Sequence, residues 1–283
     1  MSSERQNGLV ARPCRASGRD AIPLRAMCFE LDSLPPIPAV SGGAPVLSED
    51  VTLEAADGTR LAAFAALPDE PAQVGVVVLP DARGLYRFYE ELALRFAERG
   101  YPAVAIDYFG RTAGIGKRDD EFPYMEHYAT TTPDGVQHDT RAAVEYLRSP
   151  EGGACATVFA VGFCFGGRNA WLATAGGHDL AGAVGFYGST DERSGAAGPT
   201  QRAAEFRAPI LALQAGIDQN ILPEHNTAFE AALTTAGVEH ELVVYEGAPH
   251  SFFDRRYAEF ADASADAWER VLAFIAQHTP AGR

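Results

Sequence analysis

A cysteine set among glycines is the residue of this sequence with the clearest chemical potential. Residues 162–167 read Gly-Phe-Cys-Phe-Gly-Gly, which fits the pattern glycine, any residue, nucleophile, any residue, glycine, with Cys164 at its centre. In that pattern the nucleophile occupies a sharp turn from a strand into a helix, and the small residues let the backbone pass closely. The start of the helix also favours the thiolate, which is the attacking form. The pattern predicts a cysteine nucleophile; a small cysteine buried in a tight turn is the alternative.

Two further residues complete the set that acyl transfer needs. Asp218 lies in the loop Ala-Gly-Ile-Asp-Gln-Asn, and His250 lies in the loop Gly-Ala-Pro-His-Ser-Phe. Each loop follows a predicted strand, and the order nucleophile, acid, histidine is typical of α/β-hydrolases. We expect His250 to take the thiol proton and later to activate water, while Asp218 holds the required tautomer. Taken alone, an aspartate or a histidine in a loop is more often a solvated surface residue.

The same chemistry requires two backbone donors for the oxyanion. One is expected to be the N–H of Phe165, directly after the nucleophile, and the other an N–H from the loop after the strand Val-Gly-Val-Val-Val-Leu. By position in residues 80–84 the second donor is Ala82. The sequence therefore predicts an oxyanion hole formed by Ala82 and Phe165.

Hydrophobic runs and turn signals predict the elements that position these residues. A hairpin with a two-residue Asp-Gly turn at residues 57 and 58 begins the fold, and short β-branched runs then alternate with stretches of helical period. The expected strands cover residues 74–79, 102–107, 156–162, 183–188, 209–216 and 241–246, and the expected helices 87–99, 139–147, 168–174, 224–236 and 257–277. Such alternation indicates an α/β fold with a mostly parallel central sheet and helices on both faces. Ligands should bind at the carboxyl ends of the strands.

Charge and composition exclude several classes of partner. The net charge of −15 would repel phosphate backbones and anionic lipid, so we expect no nucleic acid partner and no membrane partner. No window of about 18 apolar residues is present for a membrane span. The four cysteines form no Cys-x-x-Cys pair, which favours a reducing, cytoplasmic location (Cys14, Cys28, Cys155 and Cys164). A monomer or a homodimer is expected.

The first 46 residues are interpreted as an extension before a hydrolase domain at residues 47–283. Residues 1–26 carry five arginines and no sustained apolar period, so we expect a poorly ordered tail (Arg5, Arg12, Arg15, Arg19 and Arg25). An organellar transit peptide is the alternative, and Met27 offers an alternative start of translation. Residues 34–45 are rich in proline, glycine and serine and are interpreted as a linker.

With these motifs in hand, the chain resembles the dienelactone hydrolase family from about Ser48 to Phe274. The likeness includes the Asp-Gly hairpin, the run Gly-Leu-Tyr-Arg-Phe-Tyr, the run Arg-Gly-Tyr-Pro-Ala-Val-Ala-Ile-Asp-Tyr-Phe-Gly-Arg and the run Ala-Val-Gly-Phe-Tyr-Gly. The resemblance implies hydrolysis of esters and lactones by a cysteine nucleophile, without cofactor or metal. It also implies that Asp81, where the family more often has glutamate, contacts the resting cysteine.

The resemblance also locates a departure in the substrate pocket. The family places an arginine four residues after the histidine, to bind a substrate carboxylate, whereas this chain has Asp254 there. Arg83, Arg118 and Arg255 are the candidate replacements, with a solvated charge as the alternative for each. Candidate pocket residues also include two tyrosines of the irregular segment 114–132, which could instead pack that segment down, and one aromatic residue near the histidine (Tyr124, Tyr128 and Phe252).

The expected reaction is cleavage of a small carboxylic ester or lactone through a thioester on Cys164. Two alternatives share the machinery: a thioesterase or acyltransferase, and a promiscuous phosphotriesterase. A third, from a different class, is a non-catalytic protein of the same fold that binds small molecules.

Overall fold

The computed structural model describes residues 29, 32–40, 46–70, 73–119 and 121–280. Its centre is a single eight-stranded sheet with the strand order β1-β2-β4-β3-β5-β6-β7-β8. The pairs β1–β2 and β2–β4 are antiparallel, and every other pair is parallel. The strands are β1 Val46–Glu54, β2 Arg60–Pro68, β3 Val74–Leu79, β4 Ala103–Ile106, β5 Thr157–Phe163, β6 Gly182–Phe186, β7 Ile210–Ala215 and β8 His240–Tyr245.

Helices connect the parallel strands, as the alternating pattern predicted. The α-helices are α1 Arg87–Ala97, α2 Gly110–Ala113, α3 Tyr124–Tyr128, α4 Pro133–Arg148, α5 Phe165–Ala173, α6 Pro199–Arg202, α7 Pro223–Ala236 and α8 Ala261–His278. Short 3₁₀ turns, Ala203–Glu205 and Ala258–Phe260, follow α6 and precede α8. No helix in the described part of the chain is long and apolar enough to cross a membrane.

The central strands are buried on both faces, which explains their continuous β-branched runs. In β3, Val76 and Val78 pack into one core with α1 and α8, whereas Val77 and Leu79 pack into a second core with α4, α5 and α7. Successive side chains of a strand point to opposite faces, so each core receives every second residue. The predicted sheet with helices on both faces is confirmed.

Two local predictions differ from the structure. The hairpin closes with a hydrogen bond from the Ala55 N–H to the Thr59 carbonyl at 2.8 Å, which leaves a three-residue loop where a two-residue turn was expected. Gly58, at φ 80°, supplies the left-handed residue that such a loop favours. Helix α4 begins at Pro133, before the expected start at residue 139, because the Thr132 hydroxyl caps the Gly135 N–H at 3.1 Å.

Part of the predicted linker packs against the domain. Ser33 and Ile37 are 0% and 3% exposed, and Phe29, just before the linker, is 1% exposed. Residues 34–37 of the predicted linker therefore pack against the domain, with Ile37 in its core, while the linker interpretation itself stays a prediction. The tail at residues 1–26, the remaining linker residues 41–45, Met27, Cys14 and Cys28 lie outside the described residues, and the division into extension and domain stays a prediction.

Candidate active site

Cys164 occupies a strained turn between β5 and α5. Its backbone has φ 53° and ψ −111°, a conformation that residues with a side chain rarely adopt. The turn is held by hydrogen bonds from the Cys164 N–H to the Phe186 carbonyl at 2.9 Å and from the Arg168 N–H to the Cys164 carbonyl at 3.2 Å. Strain of about 1–3 kcal/mol is typical of such positions and persists where the surroundings enforce it. The turn presents the thiol at the carboxyl end of the sheet.

The flanking glycines are required by contact distance. A Cβ atom at Gly162 would lie 2.0 Å from the Gly166 carbonyl oxygen, and one at Gly166 would lie 2.0 Å from the Leu79 carbonyl oxygen. Both neighbours are backbone atoms, which cannot move away as the end of a flexible side chain can. The glycines therefore permit the close approach of β3, β5 and α5 that shapes the turn.

Asp218 and His250 lie in adjacent loops after β7 and β8. The two loops are joined by a hydrogen bond from the Ile217 N–H to the Ala248 carbonyl at 3.1 Å. The imidazole Nδ1 and the Asp218 Oδ2 are 2.5 Å apart, and the second carboxylate oxygen accepts the N–H groups of Asn220 at 2.9 Å and Ile221 at 3.2 Å. Burial opposes ionisation of Asp218, but the hydrogen bond from His250 and these backbone donors lower its pKa. Asp218 is thus an anion that faces the imidazole.

The electrostatics of His250 link the acid to the cysteine. Burial disfavours the imidazolium, yet the charge of the Cys164 thiolate and the hydrogen bond to Asp218 outweigh burial and raise the pKa of His250 to about 10. An imidazolium between a thiolate and a carboxylate can donate a proton to a leaving group. The structure therefore brings the three sequence-predicted residues together in the required order: acid, histidine, cysteine.

A solvent-open cleft lies above the thiol. Its walls come from six loops and helices, and they include both expected oxyanion donors, one expected pocket tyrosine and six residues that the sequence did not suggest. The lining residues are Ala82, Tyr128, Cys164, Phe165, Arg168, Tyr187, Ser189, Arg193, Asn220, Ile221 and His250.

The loop that carries Ala82 is fixed by buried tyrosines. The Asp81 N–H donates to the Tyr89 hydroxyl at 2.9 Å, and the Tyr108 hydroxyl donates to the Pro80 carbonyl at 3.0 Å. Ala82 and Phe165 both face the cleft beside Cys164. Their role as oxyanion donors remains a prediction that this arrangement favours.

The Asp81 carboxylate is engaged by its own loop. Arg83 reaches it with Nη2 at 2.9 Å and Nε at 3.3 Å, and the Tyr86 hydroxyl donates to it at 3.0 Å. The Arg83 guanidinium also lies 4.4 Å from the centre of the Tyr86 ring. The expected contact between Asp81 and Cys164 stays a prediction, whereas Arg83, which does not line the cleft, serves as the partner of Asp81.

Three other residues that were expected in the pocket, one phenylalanine and two arginines, lie outside the cleft. Phe252 is 0% exposed, packs against Tyr245 with ring centres 4.9 Å apart, and is not among the residues that line the cleft. Arg255 donates to the Ile37 carbonyl at 3.1 Å, and Arg118 pairs with the buried Asp107 at 2.7 Å. Neither arginine is among the residues that line the cleft, and a contact of either with substrate stays a prediction.

The two tyrosines of the irregular segment have different positions. Tyr128 lines the cleft and meets Phe165 edge-on with ring centres 5.1 Å apart. Tyr124, at the other end of α3, is absent from the cleft lining and packs against the core on that side of the sheet. The substrate-facing prediction is therefore supported for Tyr128, and the packing alternative describes Tyr124.

Arg168 is the main functional-site residue that sequence reasoning missed. Its guanidinium is 7% exposed and donates to the carbonyls of residues 189, 191, 196 and 197, so it holds the loop after β6. Burial and the nearby charge of Arg193 lower the pKa of Arg168 to about 10. The available signal was its spacing, because a residue four positions after the nucleophile lies one turn further along the same helix.

Arg193 lies on that loop at the mouth of the cleft. Its N–H and the N–H of Ala196 each donate to the other residue's carbonyl, at 3.1 and 2.9 Å, which closes a small turn. The Arg193 Nε donates to the Ser189 hydroxyl at 3.1 Å. Arg168 and Arg193 together give one wall of the cleft a positive charge.

Tyr187 also lines the cleft and was not predicted. It is 1% exposed, it has φ 37°, and its ring centre lies 4.8 Å from that of His250. The only sequence signal was its position directly after a strand end, which is where this type of sheet places ligands. Tyr187 packs the imidazole from the side.

Comparisons with known proteins agree with this geometry. A model of the dienelactone hydrolase family matches residues 61–279. A protein of Yersinia pestis named "Putative carboxymethylenebutenolidase" is 30% identical over 228 residues, which cover 78% of this chain and 85% of that protein. An identically named protein of Escherichia coli K12 is also 30% identical, over 78% of this chain and 84% of its own length.

Solved structures show the same fold. The crystal structure titled "Putative Dienelactone Hydrolase" from Klebsiella pneumoniae superposes with a TM-score of 0.72 at 26% identity, and the match covers 82% of this chain and 99% of that one. A dienelactone hydrolase-like promiscuous phosphotriesterase, P91 from metagenomic libraries, has a TM-score of 0.68 at 22% identity, with 82% and 98% covered. The predicted α/β-hydrolase fold is confirmed.

Proposed function

Since this chain belongs to the dienelactone hydrolase family and is a hydrolase, we propose that it cleaves carboxylic ester or lactone bonds of small molecules through Cys164, His250 and Asp218. The single observation that carries the proposal is the shared cleft. The strained turn presents Cys164 there, next to a histidine whose other nitrogen is held by a buried carboxylate. That arrangement supports a thiolate nucleophile with a paired proton donor.

The first half of the reaction forms a thioester. The Cys164 thiolate attacks the carbonyl carbon, and the carbonyl π electrons move to oxygen, where the N–H groups of Ala82 and Phe165 stabilise the oxyanion. When the oxyanion collapses, the carbon–oxygen bond to the alcohol breaks and the His250 imidazolium protonates the leaving alkoxide. A lactone stays attached by its acyl end, because its alcohol and its acid are one molecule.

The second half returns the enzyme to its resting state. The neutral imidazole now removes a proton from water, the hydroxide attacks the thioester carbon, and the carbon–sulfur bond breaks. The products are the free acid and the Cys164 thiolate beside a protonated His250. Asp218 stays ionised throughout, because its role is to hold the Nδ1 proton and to stabilise the imidazolium.

Replacement of Cys164 tests the proposal directly. We expect Cys164→Ala to abolish hydrolysis of p-nitrophenyl acetate and stoichiometric labelling by iodoacetamide at neutral pH. Cys155→Ala is the matched control, because Cys155 is buried in the core and burial raises the pKa of its thiol to about 11. Full esterase activity in Cys164→Ala would refute the mechanism.

Other acyl and phosphoryl substrates are the competing candidates. The similar structure of the promiscuous phosphotriesterase P91 motivates a test of phosphotriester hydrolysis. In that reaction the thiolate would attack phosphorus. The competing activities are separated by assaying a panel of substrates with wild type and with Cys164→Ala. The panel contains neutral and acidic lactones, short esters, acyl thioesters for a thioesterase, and diethyl p-nitrophenyl phosphate for a phosphotriesterase. The proposed class predicts the highest kcat/KM on an ester or a lactone.

The setting of the enzyme is part of the same proposal. Neither Cys155 nor Cys164, the two cysteines among the described residues, forms a disulfide, which supports function in a reducing, cytoplasmic compartment. The net charge of −15 disfavours nucleic acid as a partner. We expect either a monomer or a homodimer, and sedimentation at micromolar protein concentration would distinguish the two.

A further inference from the structure

Residues that precede the family match lie along the loop that follows His250. The Ser33 hydroxyl donates to the Asp254 carboxylate at 2.6 Å, and both residues are buried, at 0% and 2% exposed. The Arg255 N–H donates to the Leu34 carbonyl at 3.0 Å, and its guanidinium donates to the Ile37 carbonyl at 3.1 Å. The segment is thus fastened to the loop by main-chain and side-chain hydrogen bonds.

Phe29 packs against Tyr187, the residue whose ring contacts His250. It is 1% exposed and stacks on Phe88 with ring centres 4.0 Å apart. Its ring also meets the edge of Tyr187 at 6.2 Å, and the Tyr187 ring lies 4.8 Å from that of His250. Phe29, Tyr187 and His250 therefore form a continuous packed row.

The loop around His250 needs such support. On its near side the Ala248 carbonyl accepts the Ile217 N–H, which ties the loop to that of Asp218. Directly after the histidine, Ser251 has φ 62°, a conformation that a serine keeps only when its surroundings enforce it. On the far side the Ser264 hydroxyl of α8 donates to the Phe252 carbonyl at 3.2 Å, and the next bonds that leave the loop are those to Ser33 and Leu34. His250 thus lies between one anchor on the loop after β7 and, on its far side, anchors on α8 and on residues 33 and 34.

We propose that residues 29 and 32–37, called here the N-terminal clamp, position His250 for catalysis, Phe29 through Tyr187 and Ser33 through Asp254. The inference rests on the proposed function, because His250 is the proton donor and base of that reaction. Phe29 and Ser33 do not line the cleft, so they are positioning residues and touch no substrate. The extension before the family match is, on this view, part of the catalytic apparatus.

Loss of the clamp has a measurable chemical consequence. When the His250 loop moves, the imidazolium is less often beside Cys164, and the thiolate loses its counter-charge. The pH midpoint for alkylation of Cys164 should then rise towards that of an ordinary thiol, about 8.5. Misplacement of the proton donor should also lower kcat, because rates depend steeply on the geometry of reacting groups.

The experiment compares clamp variants with matched controls in the full chain. Ser33→Ala removes the hydroxyl, Ser33→Thr keeps it, and Phe29→Leu shortens the packed row. Thr140→Val removes a buried hydroxyl of α4 that donates within its own helix, and Phe96→Leu makes the same change as Phe29→Leu, at a ring that packs on Trp268. The readouts are the pH profile of Cys164 alkylation by iodoacetamide, followed by peptide mass spectrometry, and kcat and KM for p-nitrophenyl acetate.

The clamp predicts that Ser33→Ala and Phe29→Leu raise the alkylation midpoint and lower kcat at least about tenfold. Ser33→Thr should restore both values, and the two controls should keep the wild-type midpoint. Clamp variants that melt at lower temperature but keep the wild-type midpoint and kcat while folded would overturn the proposal. If Ser33→Ala does not fold, Phe29→Leu carries the same test.

The design also separates this inference from the proposed function. A wild-type protein that hydrolyses no ester refutes the proposed function, while the alkylation midpoints still test the clamp. An active wild-type protein whose clamp variants match it in both readouts refutes the clamp alone.

Discussion

Replacement of Asp218 by asparagine tests the catalytic geometry most sharply, because the structure fixes how the new side chain would sit. The Asp218 Oδ1 accepts the N–H groups of Asn220 and Ile221, at 2.9 and 3.2 Å. In Asp218→Asn only the amide oxygen can accept these two hydrogen bonds, so the NH₂ group must face the Nδ1 of His250. Nδ1 would then have to accept a hydrogen bond, and the single imidazole proton would move to Nε2. That is the wrong tautomer for a base that faces Cys164.

The expected loss follows from two contributions. A hydrogen bond to a charged group contributes about 1.5–3 kcal/mol, which is about 10- to 150-fold in rate at about 1.36 kcal/mol for each factor of ten. The wrong tautomer and the missing negative charge beside the imidazolium add to this, and triads of this design lose about 10⁴-fold in total. We therefore expect kcat/KM to fall between about 10² and 10⁴-fold.

The assay is steady-state hydrolysis of p-nitrophenyl acetate by wild type, Asp218→Asn and a control variant. Asp139→Asn is the matched control, because Asp139 is also a buried carboxylate, paired with Arg111, and it does not line the cleft. A folded Asp218→Asn variant with less than about a tenfold loss in kcat/KM would refute the tautomer argument and remove Asp218 from the triad.

Three further outcomes are expected. The imidazolium of His250 persists below its raised pKa of about 10 and is lost above it, so kcat/KM should hold through neutral pH and fall as the pH rises through that value, measured as a pH–rate profile. Gly166→Ala should prevent the turn from closing, since its Cβ would lie 2.0 Å from a carbonyl oxygen, whereas Gly116→Ala, with its nearest atom 3.8 Å away, should be neutral in activity and thermal melting. Arg193→Gln should raise KM for acidic lactones more than for neutral ones, and equal changes would exclude a charge role.

The fold and the placement of Cys164, Asp218 and His250 were predictable because their signals are local. Strands such as β3 are visible in the sequence as short β-branched runs. Cys164 is flanked by glycines, and a side chain at Gly162 or Gly166 would collide with a backbone carbonyl oxygen. Asp218 and His250 follow strand ends, and parallel strands bring their carboxyl ends to one edge of the sheet. Local pattern and sheet topology therefore sufficed for these three residues.

The walls of the cleft could not be predicted, because their roles depend on contacts between distant parts of the chain. Arg168 has a defined role only once the loop after β6 folds back and offers it four carbonyl groups. Phe252 and Arg255 follow His250 closely in sequence, yet the first is buried in the core and the second binds the N-terminal clamp. Proximity in sequence to His250 was a poor guide to which residues line the cleft.

Asp254 connects the clamp to the question of substrate charge. The family resemblance implies an arginine at this position for a substrate carboxylate, whereas here a buried carboxylate is hydrogen-bonded to Ser33, 221 residues away in the sequence. A negative group so close after His250 disfavours an acidic substrate group there, while Arg193 and Arg168 give one wall of the cleft a positive charge. The charged end of an acidic substrate should therefore lie against the loop after β6. The position that binds substrate in the resemblance has become, in this chain, the attachment point of the clamp.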